Sequence, residues 1–365
     1  MNRTVSWTLV RYLGLQFLTS VGMVLASFLV IVLLFDFVEM LRRFSDKGVS
    51  AGGVFIMSML KMPNLIEETI PFATLFGATW SFARLSRSSE LVVARAAGLS
   101  VWQFLGPSLA IGLVGGILLI TIYNPLAAAM IRAEESQEAR YTSTRPNILN
   151  ISQNGLWLRQ MNTDGPAILN AQKVSQQGAS LEGVQIISLD EHDRFRGLVR
   201  AQGARLMPGY WELTGGEARW LGRENAPEKI DRFTTQLTRS QIEDSFASPK
   251  TMSFWELRRF IELAEQAGFG AAPHKLHFYS MLARPFLLCA MILLAATFAL
   301  RVQRGRGLGF LAVGAVASGF LLYFAGSLTR ALGLSGIVPI TLAAWAPAAT
   351  ATLFGVALLL HLEDG

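Results

Sequence analysis

The sequence predicts a membrane protein with six transmembrane α-helices, three on each side of an inserted extramembrane β domain. Three observations predict it. Five long stretches carry no Asp, Glu, Lys or Arg. The arginine-rich turns share one side of the membrane only if six helices cross it. Residues 132–273 change texture, to short strand-like runs bounded by Gly, Pro or Asn. The 365 residues are 52% hydrophobic and only 16% charged, whereas a soluble domain carries about 25% charged residues.

The charge-free stretches are Leu13–Phe35, Ala96–Ile131, Pro285–Leu300, Gly307–Thr329 and Ala331–Leu362. A hydrocarbon core of ~30 Å needs ~20 apolar helical residues. Four stretches reach that length, and the third does so once residues 275–283 are added. Arg3 and Arg11 ahead of the first run imitate a signal peptide. No small-x-small cleavage site follows, and Asp36-Phe37-Val38-Glu39 comes next, so the run reads as a retained helix. The single cysteine, Cys289, lies inside the fourth span, where it serves packing and can form no internal disulfide.

The second span is the weakest by composition. Residues 54–83 include Lys61, Pro63, Asn64, Glu67, Glu68 and Pro71, which leaves Thr69–Ala83 cleanly apolar. Orientation restores it. Arg84, Arg87 and Arg95 sit in one connection, and Arg301–Arg306 holds three arginines in six residues. By the positive-inside rule both belong in the cytoplasm with Arg3 and Arg11. Both termini are then cytoplasmic and residues 132–273 lie outside, in the periplasm if the cell is Gram-negative. The expected organisation is helices 1–3 over 1–131 with a short cytoplasmic helix near 86–97, a β domain over 132–252, a connecting amphipathic helix over 253–273, and helices 4–6 over 274–365.

Residues 132–273 hold 17 Lys+Arg against 18 Asp+Glu, so the chain's +6 net charge resides in the membrane part. It orients helices, and no nucleic-acid partner is expected. Strands are expected near Gly155–Arg159, Ala167–Val174, Val184–Leu189, Leu198–Leu206, Tyr210–Trp220 and Arg232–Leu237. Short, regularly spaced strands favour a β-sandwich or a jelly roll. Ser253-Phe-Trp-Glu256 is a capping box. It opens a helix with Phe254, Leu257, Phe260, Ile261 and Ala264 on one face and Gly268 as its stop.

Enzyme chemistry is not visible. The sequence has no G-x-x-x-x-G-K-[ST] and no G-x-S-x-G. Gly305, Gly307 and Gly309 lie in a basic turn between two spans, not between a strand and a helix. His274 and His277 lack a third ligand, so no metal site is expected. Energy for any transport must come from a partner or an ion gradient.

Two constellations stand out. Residues 84–100, Arg84-Leu-Ser-Arg-Ser-Ser-Glu90-Leu-Val-Val-Ala-Arg95-Ala-Ala-Gly98-Leu-Ser100, encode a short amphipathic helix. Ser88 or Ser89 caps it, Leu91, Val92 and Ala94 form its apolar side, and Gly98 ends it. On the cytoplasmic face such a helix docks in a groove of a soluble partner; the alternative is a solvated loop on anionic headgroups. The second is Asp36, Glu39, Arg42, Arg43 and Lys47 at the outer end of the first span. Guanidinium groups there suit a phosphate on an acylated ligand. The alternative is a solvated turn in which Arg42 and Arg43 pair with Glu39 and Asp46.

The three-plus-three layout, Ser89-Glu90-Leu91-Val92-Val93 with Ala97-Gly98-Leu99-Ser100, and Phe37-Val38-Glu39-Met-Leu-Arg42-Arg43 resemble the lipopolysaccharide-export permeases LptF and LptG. Pro63 and Pro71, Gly155-Leu156-Trp157, Arg284-Pro285 and Ala343-Ala344-Trp345-Ala-Pro347 extend the resemblance over essentially the whole chain. The 89–93 and 37–43 motifs look closer to LptG. The resemblance implies an ABC-transporter permease with a periplasmic β-jellyroll domain. Its partners would be an LptF-type permease, an LptB-type ATPase dimer that binds the ATP, and an LptC-type periplasmic protein. The substrate would be lipopolysaccharide, with no cofactor on this chain. It places Glu90, Leu91, Arg87 and Arg95 in the element that meets the ATPase, and Arg42, Arg43, Arg132 and Asp36 near the lipid phosphates. Asp36 departs from the family, which often has lysine there; an acid repels phosphate unless it pairs with Arg42 or Arg43 or meets a differently charged lipid A.

Two other readings compete. A secondary transporter would use Lys61, Glu67 and Glu68 as ion sites, but those residues are expected near the outer interface, where they hydrate, and no inverted repeat is visible. A membrane scaffold or mechanotransmission subunit would recruit an ATPase and translocate nothing.

Overall fold

The computed structural model describes residues 6–45, 48–96, 98–142, 149–152, 155–162, 165–175, 180–190, 194–222, 227–235, 248–266, 270–301 and 308–363. In chain order the helices are α1 (Trp7–Phe44), α2 (Ala51–Arg87), α3 (Glu90–Ala96), α4 (Val101–Leu118), a π turn (Leu119–Tyr123), α5 (Asn124–Thr142), α6 (Phe254–Gln266), α7 (Ala272–Arg301), α8 (Leu308–Leu334) and α9 (Ile340–Glu363). Two compact units result: Met1–Tyr141 with Lys275–Gly365, and Thr142–His274.

Five helices of the first unit are long and apolar enough to cross a membrane: Trp7–Phe44, Val101–Ala139, Ala272–Ala299, Val313–Leu334 and Ile340–His361. The helix α2 is not among them, because its polar residues lower its hydropathy. It is nonetheless one continuous helix of 37 residues through Pro63 and Pro71. At 1.5 Å per residue it is about 55 Å long. Both halves of the sequence share one core. Leu13 and Phe17 of α1, Leu75, Phe82 and Leu85 of α2, Val101, Phe104 and Leu105 of α4 pack with Ala290–Ala296 of α7 and with Ala351 and Leu359 of α9.

Two glycines let the helices approach this closely. A Cβ on Gly77 would lie 2.5 Å from the Cα of Val21, and one on Gly116 would lie 2.5 Å from the Cα of Pro285. Where lipid tails are as apolar as leucine, such backbone approach and its dispersion contacts hold helices together. Val313, Phe320, Leu321 and Phe324 of α8 lie on the outside, as a lipid-facing surface would.

The third helix departs from the expected boundary. The charge-free run stops at Ile131, but helix continues to Thr142. The first charged residues therefore mark where α5 leaves its apolar stretch, not where the β domain begins.

The second unit is a nine-stranded antiparallel sheet. Its strands are β1 (Leu149–Ser152), β2 (Gly155–Asn162), β3 (Gly165–Ser175), β4 (Ser180–Leu189), β5 (Phe195–Met207), β6 (Tyr210–Thr214), β7 (Glu217–Trp220), β8 (Glu228–Lys229) and β9 (Arg232–Thr234). The order is β1-β2-β3-β4-β5-β6-β9, with β7 between β5 and β8. The strand expected over Tyr210–Trp220 is broken. Its first half pairs with Gly203–Met207 and its second with Gly197–Arg200. Between them Gly215 adopts φ +64°, and a Cβ on Gly216 would meet the carbonyl oxygen of Ile230. The strands β1, whose alternation Leu-Asn-Ile-Ser lasts only four residues, and β8, two residues long, are too short to announce themselves. Leu237, the expected end of the last strand, lies outside the described residues.

This sheet folds over on itself. The side-chain oxygen of buried Gln160 on β2 accepts from Trp211 Nε1 on β6 at 3.2 Å and from Thr235 Oγ1 at 2.7 Å. In a flat sheet β2 and β6 would stand about 19 Å apart, four strand spacings. Leu158, Leu169, Ile186, Val199 and Trp211 fill the space between the layers. The capping box of α6 forms as expected: Ser253 N donates to Glu256 Oε2 at 2.9 Å, and Glu256 N to Ser253 Oγ at 3.3 Å. Leu257, Ile261 and Ala264 are its buried face, while Gly268 lies outside the described residues.

Candidate functional site

The end of the first unit where α1 meets α2 collects charge from three helices. Arg42 Nη2 lies 2.9 Å from Glu39 Oε1, one turn back on α1. Arg43 Nη2 reaches across to Glu138 Oε1 of α5 at 2.7 Å. Lys61 Nζ of α2 lies 2.5 Å from Asp36 Oδ1. The partner of Asp36 is thus Lys61 and not Arg42 or Arg43, which removes one of the two conditions under which an acid here tolerates a phosphate. Six residues leave Arg42 about 120° around the helix from Asp36, and seven place Arg43 about 10 Å further along the axis. Lysine on the neighbouring helix is nearer than either. Arg43 likewise pairs with Glu138; Asp46, its expected partner, lies outside the described residues with Lys47.

Burial grades this cluster. The Asp36 side chain is 10% exposed, that of Arg43 54% and that of Arg42 78%. The second carboxylate oxygen of Asp36 is buried and has no hydrogen-bond donor among the described residues. Glu134 on α5 is buried as well and feels the charges of Lys61, Asp36 and Glu138. Arg132, one residue past the apolar run, is exposed. The structure therefore brings Asp36 together with Lys61 and Glu134, and Arg43 with Glu138, three residues the sequence did not assign to them, while Arg42 pairs with Glu39 on its own helix. The i,i+4 spacing of Glu134 and Glu138 puts both on one helix face. That signal was open to view had α5 been carried past Ile131.

Deeper in the unit, Glu67 is 7% exposed and does not hydrate, which corrects the expectation that it sits at a wet interface. Arg284 Nη1 of α7 contacts its carboxylate at 2.6 Å, and Asn124 Nδ2 donates to it at 3.3 Å. One residue earlier, the Tyr123 hydroxyl donates to the carbonyl of Pro63 at 3.2 Å. The π turn Leu119–Tyr123 sits directly before Asn124; a wide turn of this kind re-aims the side chains that follow it. Burying a carboxylate is costly unless it is paired and hydrogen-bonded, and Arg284 and Asn124 supply both contacts.

At the opposite end of α2 the chain turns sharply. Ser88 closes α2, its N–H donating to the carbonyl of Arg84 at 3.0 Å. Ser89 takes φ +60°, a left-handed conformation that strains a non-glycine residue. Its carbonyl then accepts the first α3 bond, from Val93 N at 3.0 Å. The short helix is Glu90–Ala96, so Arg87 belongs to the last turn of α2 and not to α3. Glu90 takes a hydrogen bond from Ser88 Oγ at 2.8 Å and interacts with Tyr12 of α1. Leu91 is 2% exposed and belongs to the common core, where it anchors α3. Val93 points outward. Arg95 lies on α3 by its backbone; its side chain, like Ala97 and the Arg304–Arg306 turn, lies outside the described residues.

Among the described residues, no group of three or more His, Cys, Asp and Glu is arranged to hold a metal ion. The chain matches the family model "Lipopolysaccharide export system permease LptF/LptG" over residues 11–361. It is 23% identical over 363 residues to the lipopolysaccharide export system permease protein LptG of Escherichia coli K12, covering 96% of this chain and 97% of that protein. It is 24% identical over 332 residues to the protein of the same name from Haemophilus influenzae, covering 87% and 88%. This family comprises permeases, transport subunits and not catalysts. From one end to the other, through both membrane halves and the sheet between them, the chain belongs to the lipopolysaccharide export permease family LptF/LptG.

Proposed function

We propose that this chain is the LptG-type half of an ABC transporter that extracts lipopolysaccharide from the inner membrane and passes it to a periplasmic bridge. The observation that carries the reading is the family match over residues 11–361. Six helices cross the membrane, with α2 as the second. Its length supports this, and so does the pairing of its charges, since Lys61 and Glu67 each have an oppositely charged partner on another helix. Both termini are cytoplasmic, and the folded-over sheet is a periplasmic jelly roll that receives the lipid.

The partners are an LptF-type permease, an LptB-type ATPase dimer that binds the ATP, and an LptC-type protein. Closure of the ATPase dimer pushes α3, α1 and α8 move against the other permease, and the lipid cavity collapses upward. Transport follows because the two states differ in affinity for the lipid. Leu91 fixes α3 to the bundle, so a push on the exposed side of α3 reaches the core. The lipid phosphates meet Arg42, Arg43 and Arg132.

Purification in mild detergent, with mass spectrometry of bound lipid and protein, tests the whole. Lipopolysaccharide with a second permease and an ATPase is the expected content; a complex containing neither lipid nor ATPase refutes it. Glu90→Ala is expected to lower lipid-stimulated ATP turnover. The double change Arg42→Ser with Arg43→Ser is expected to weaken lipopolysaccharide crosslinking, and unaltered crosslinking would return these arginines to a solvated turn.

A further inference from the structure

Resting on the reading that α8 borders the lipid cavity, we infer that Arg330 of α8 is a further contact for a phosphate of the carried lipid. Arg330 is the only Asp, Glu, Lys or Arg from residue 307 to residue 362. The helix α8 starts at Leu308, directly after the arginine-rich turn assigned to the cytoplasm. Arg330 follows 22 residues later, about 33 Å along the axis, which is one hydrocarbon thickness of ~30 Å. A cation thus stands at the outer boundary, against the positive-inside bias. Ionisable groups on a spanning helix are costly, and a function is the first explanation to test.

The side chain is exposed and folded toward the preceding turn, where Nε donates to the carbonyl of Gly326 at 3.2 Å. Among the described residues no carboxylate pairs with it. Its two terminal nitrogens therefore keep the fork that matches two oxygens of a phosphate. Arg330 is not at the helix tip, since α8 runs on to Leu334 and exposed Ile337 lies beyond. An arginine that only sought water would stretch past these apolar residues. Below it runs an apolar track. Val316, Phe320, Tyr323, Ser327 and Arg330 are exposed and follow at steps of four and three, so they share one face. Phe320 to Arg330 covers about 15 Å, half the hydrocarbon core and thus one leaflet. One cation above a leaflet-deep apolar face suits a phosphorylated, acylated lipid, with phosphate on the guanidinium and an acyl chain along Phe320 and Tyr323. The carried lipid is the occupant because α8 moves in the proposed stroke. Arg42 and Arg43 stand on α1 and Arg330 on α8, so a lipid held from both helices is gripped fully in one state only, which is the difference in affinity that transport needs.

The test pairs a protein change with a ligand change. The full-length protein in detergent micelles is titrated with lipid A that carries its phosphates and with dephosphorylated lipid A. Arg330→Gln, with an unchanged melting temperature, is expected to weaken binding of the phosphorylated form about fivefold, the scale of one partly exposed ion pair. The dephosphorylated form is expected to bind as before. Arg330→Lys keeps the charge without the fork and is expected to lose less. Equal weakening of both forms, or of neither, overturns the inference. An effect confined to phosphatidylglycerol also overturns it, since the site would then serve bulk phospholipid. So does loss of the second permease on purification with lipid binding intact, since the partner would then be a protein. In each of these cases the lipid reading stands if Arg42→Ser with Arg43→Ser still weakens phosphorylated lipid A. Binding of neither form by folded wild-type protein overturns both.

Discussion

The buried pair between Glu67 and Arg284 offers the sharpest test of how the two membrane halves are held. Arg284→Met removes the guanidinium 2.6 Å from a carboxylate whose side chain is only 7% exposed. Asn124 at 3.3 Å then remains as a hydrogen-bond donor to it. Breaking a buried pair from one side costs about 3–5 kcal/mol, because a charge is left without its counterion. Glu67→Leu is expected to cost less than Arg284→Met. Arg284 is 15% exposed, and a long cationic side chain can bend toward a polar surface when its partner goes. The double change Glu67→Leu with Arg284→Met is expected to cost less than Arg284→Met alone, since no unpaired charge remains. Unfolding in a graded detergent mixture, followed by intrinsic fluorescence, gives all three values and the coupling between the sites. Single changes costing under about 1 kcal/mol, with an additive double, would refute the reasoning. The pair would then behave like an exposed surface bridge.

Helix approach, sheet closure and capping give three further tests. Gly77→Val places a side chain where Val21 backbone already stands and is expected to destabilise the unit by about 1–3 kcal/mol; Gly22→Ala, with nothing within 4 Å of its new Cβ, is the control and leaves the melting temperature unchanged. Gln160→Leu strips the acceptor from Trp211 and Thr235. It is expected to cost about 1–3 kcal/mol per orphaned buried donor, seen as an earlier loss of tryptophan fluorescence and as proteolysis confined to the sheet unit. Ser100→Ala removes the reciprocal bonds between Ser100 and Gln103 that start α4. About 1 kcal/mol of stability is expected to go with them, measured by thermal melt, and a full-length protein with unchanged melting would refute that cap.

Much of the fold was legible because it rests on local pattern. Charge-free length located five spans, strand alternation located most of the sheet, and the Ser253–Glu256 spacing located the start of α6. What stayed hidden depends on partners far apart in sequence. Nothing within reach of Asp36 in the chain names Lys61, 25 residues on, as its cation, and nothing near Glu67 names Arg284, 217 residues away. Charge counting also mistook the end of an apolar run for the end of a helix, which removed Glu134 and Glu138 from view. The left-handed Ser89 could not be read either, since serine carries no conformational mark of the kind glycine does.

The helix α2 shows why hydropathy and function part company. The residues that exclude it from the apolar helices are the ones that connect it to the rest of the unit. Lys61 ties it to α1, Glu67 ties it to α7 and to the start of α5, and the Pro63 carbonyl receives Tyr123 from the π turn. Its far end carries the Ser88–Ser89 corner and α3, anchored by Leu91. This continuous helix, with Pro63 and Pro71 inside it, thus has the α1–α2 charge cluster toward one end and α3 at the other, with the buried pair between them. Movement imposed at α3 must either carry α7 along with α2, which keeps the Glu67–Arg284 pair and shifts Lys61 against Asp36, or break that pair at a cost of several kcal/mol. The first course is the cheaper one. It predicts that a crosslink fixing Lys61 to Asp36, through a pair of cysteines at those positions, stops lipid-stimulated ATP turnover reversibly under reduction. Turnover unaffected by that crosslink would show that α2 does not transmit the stroke.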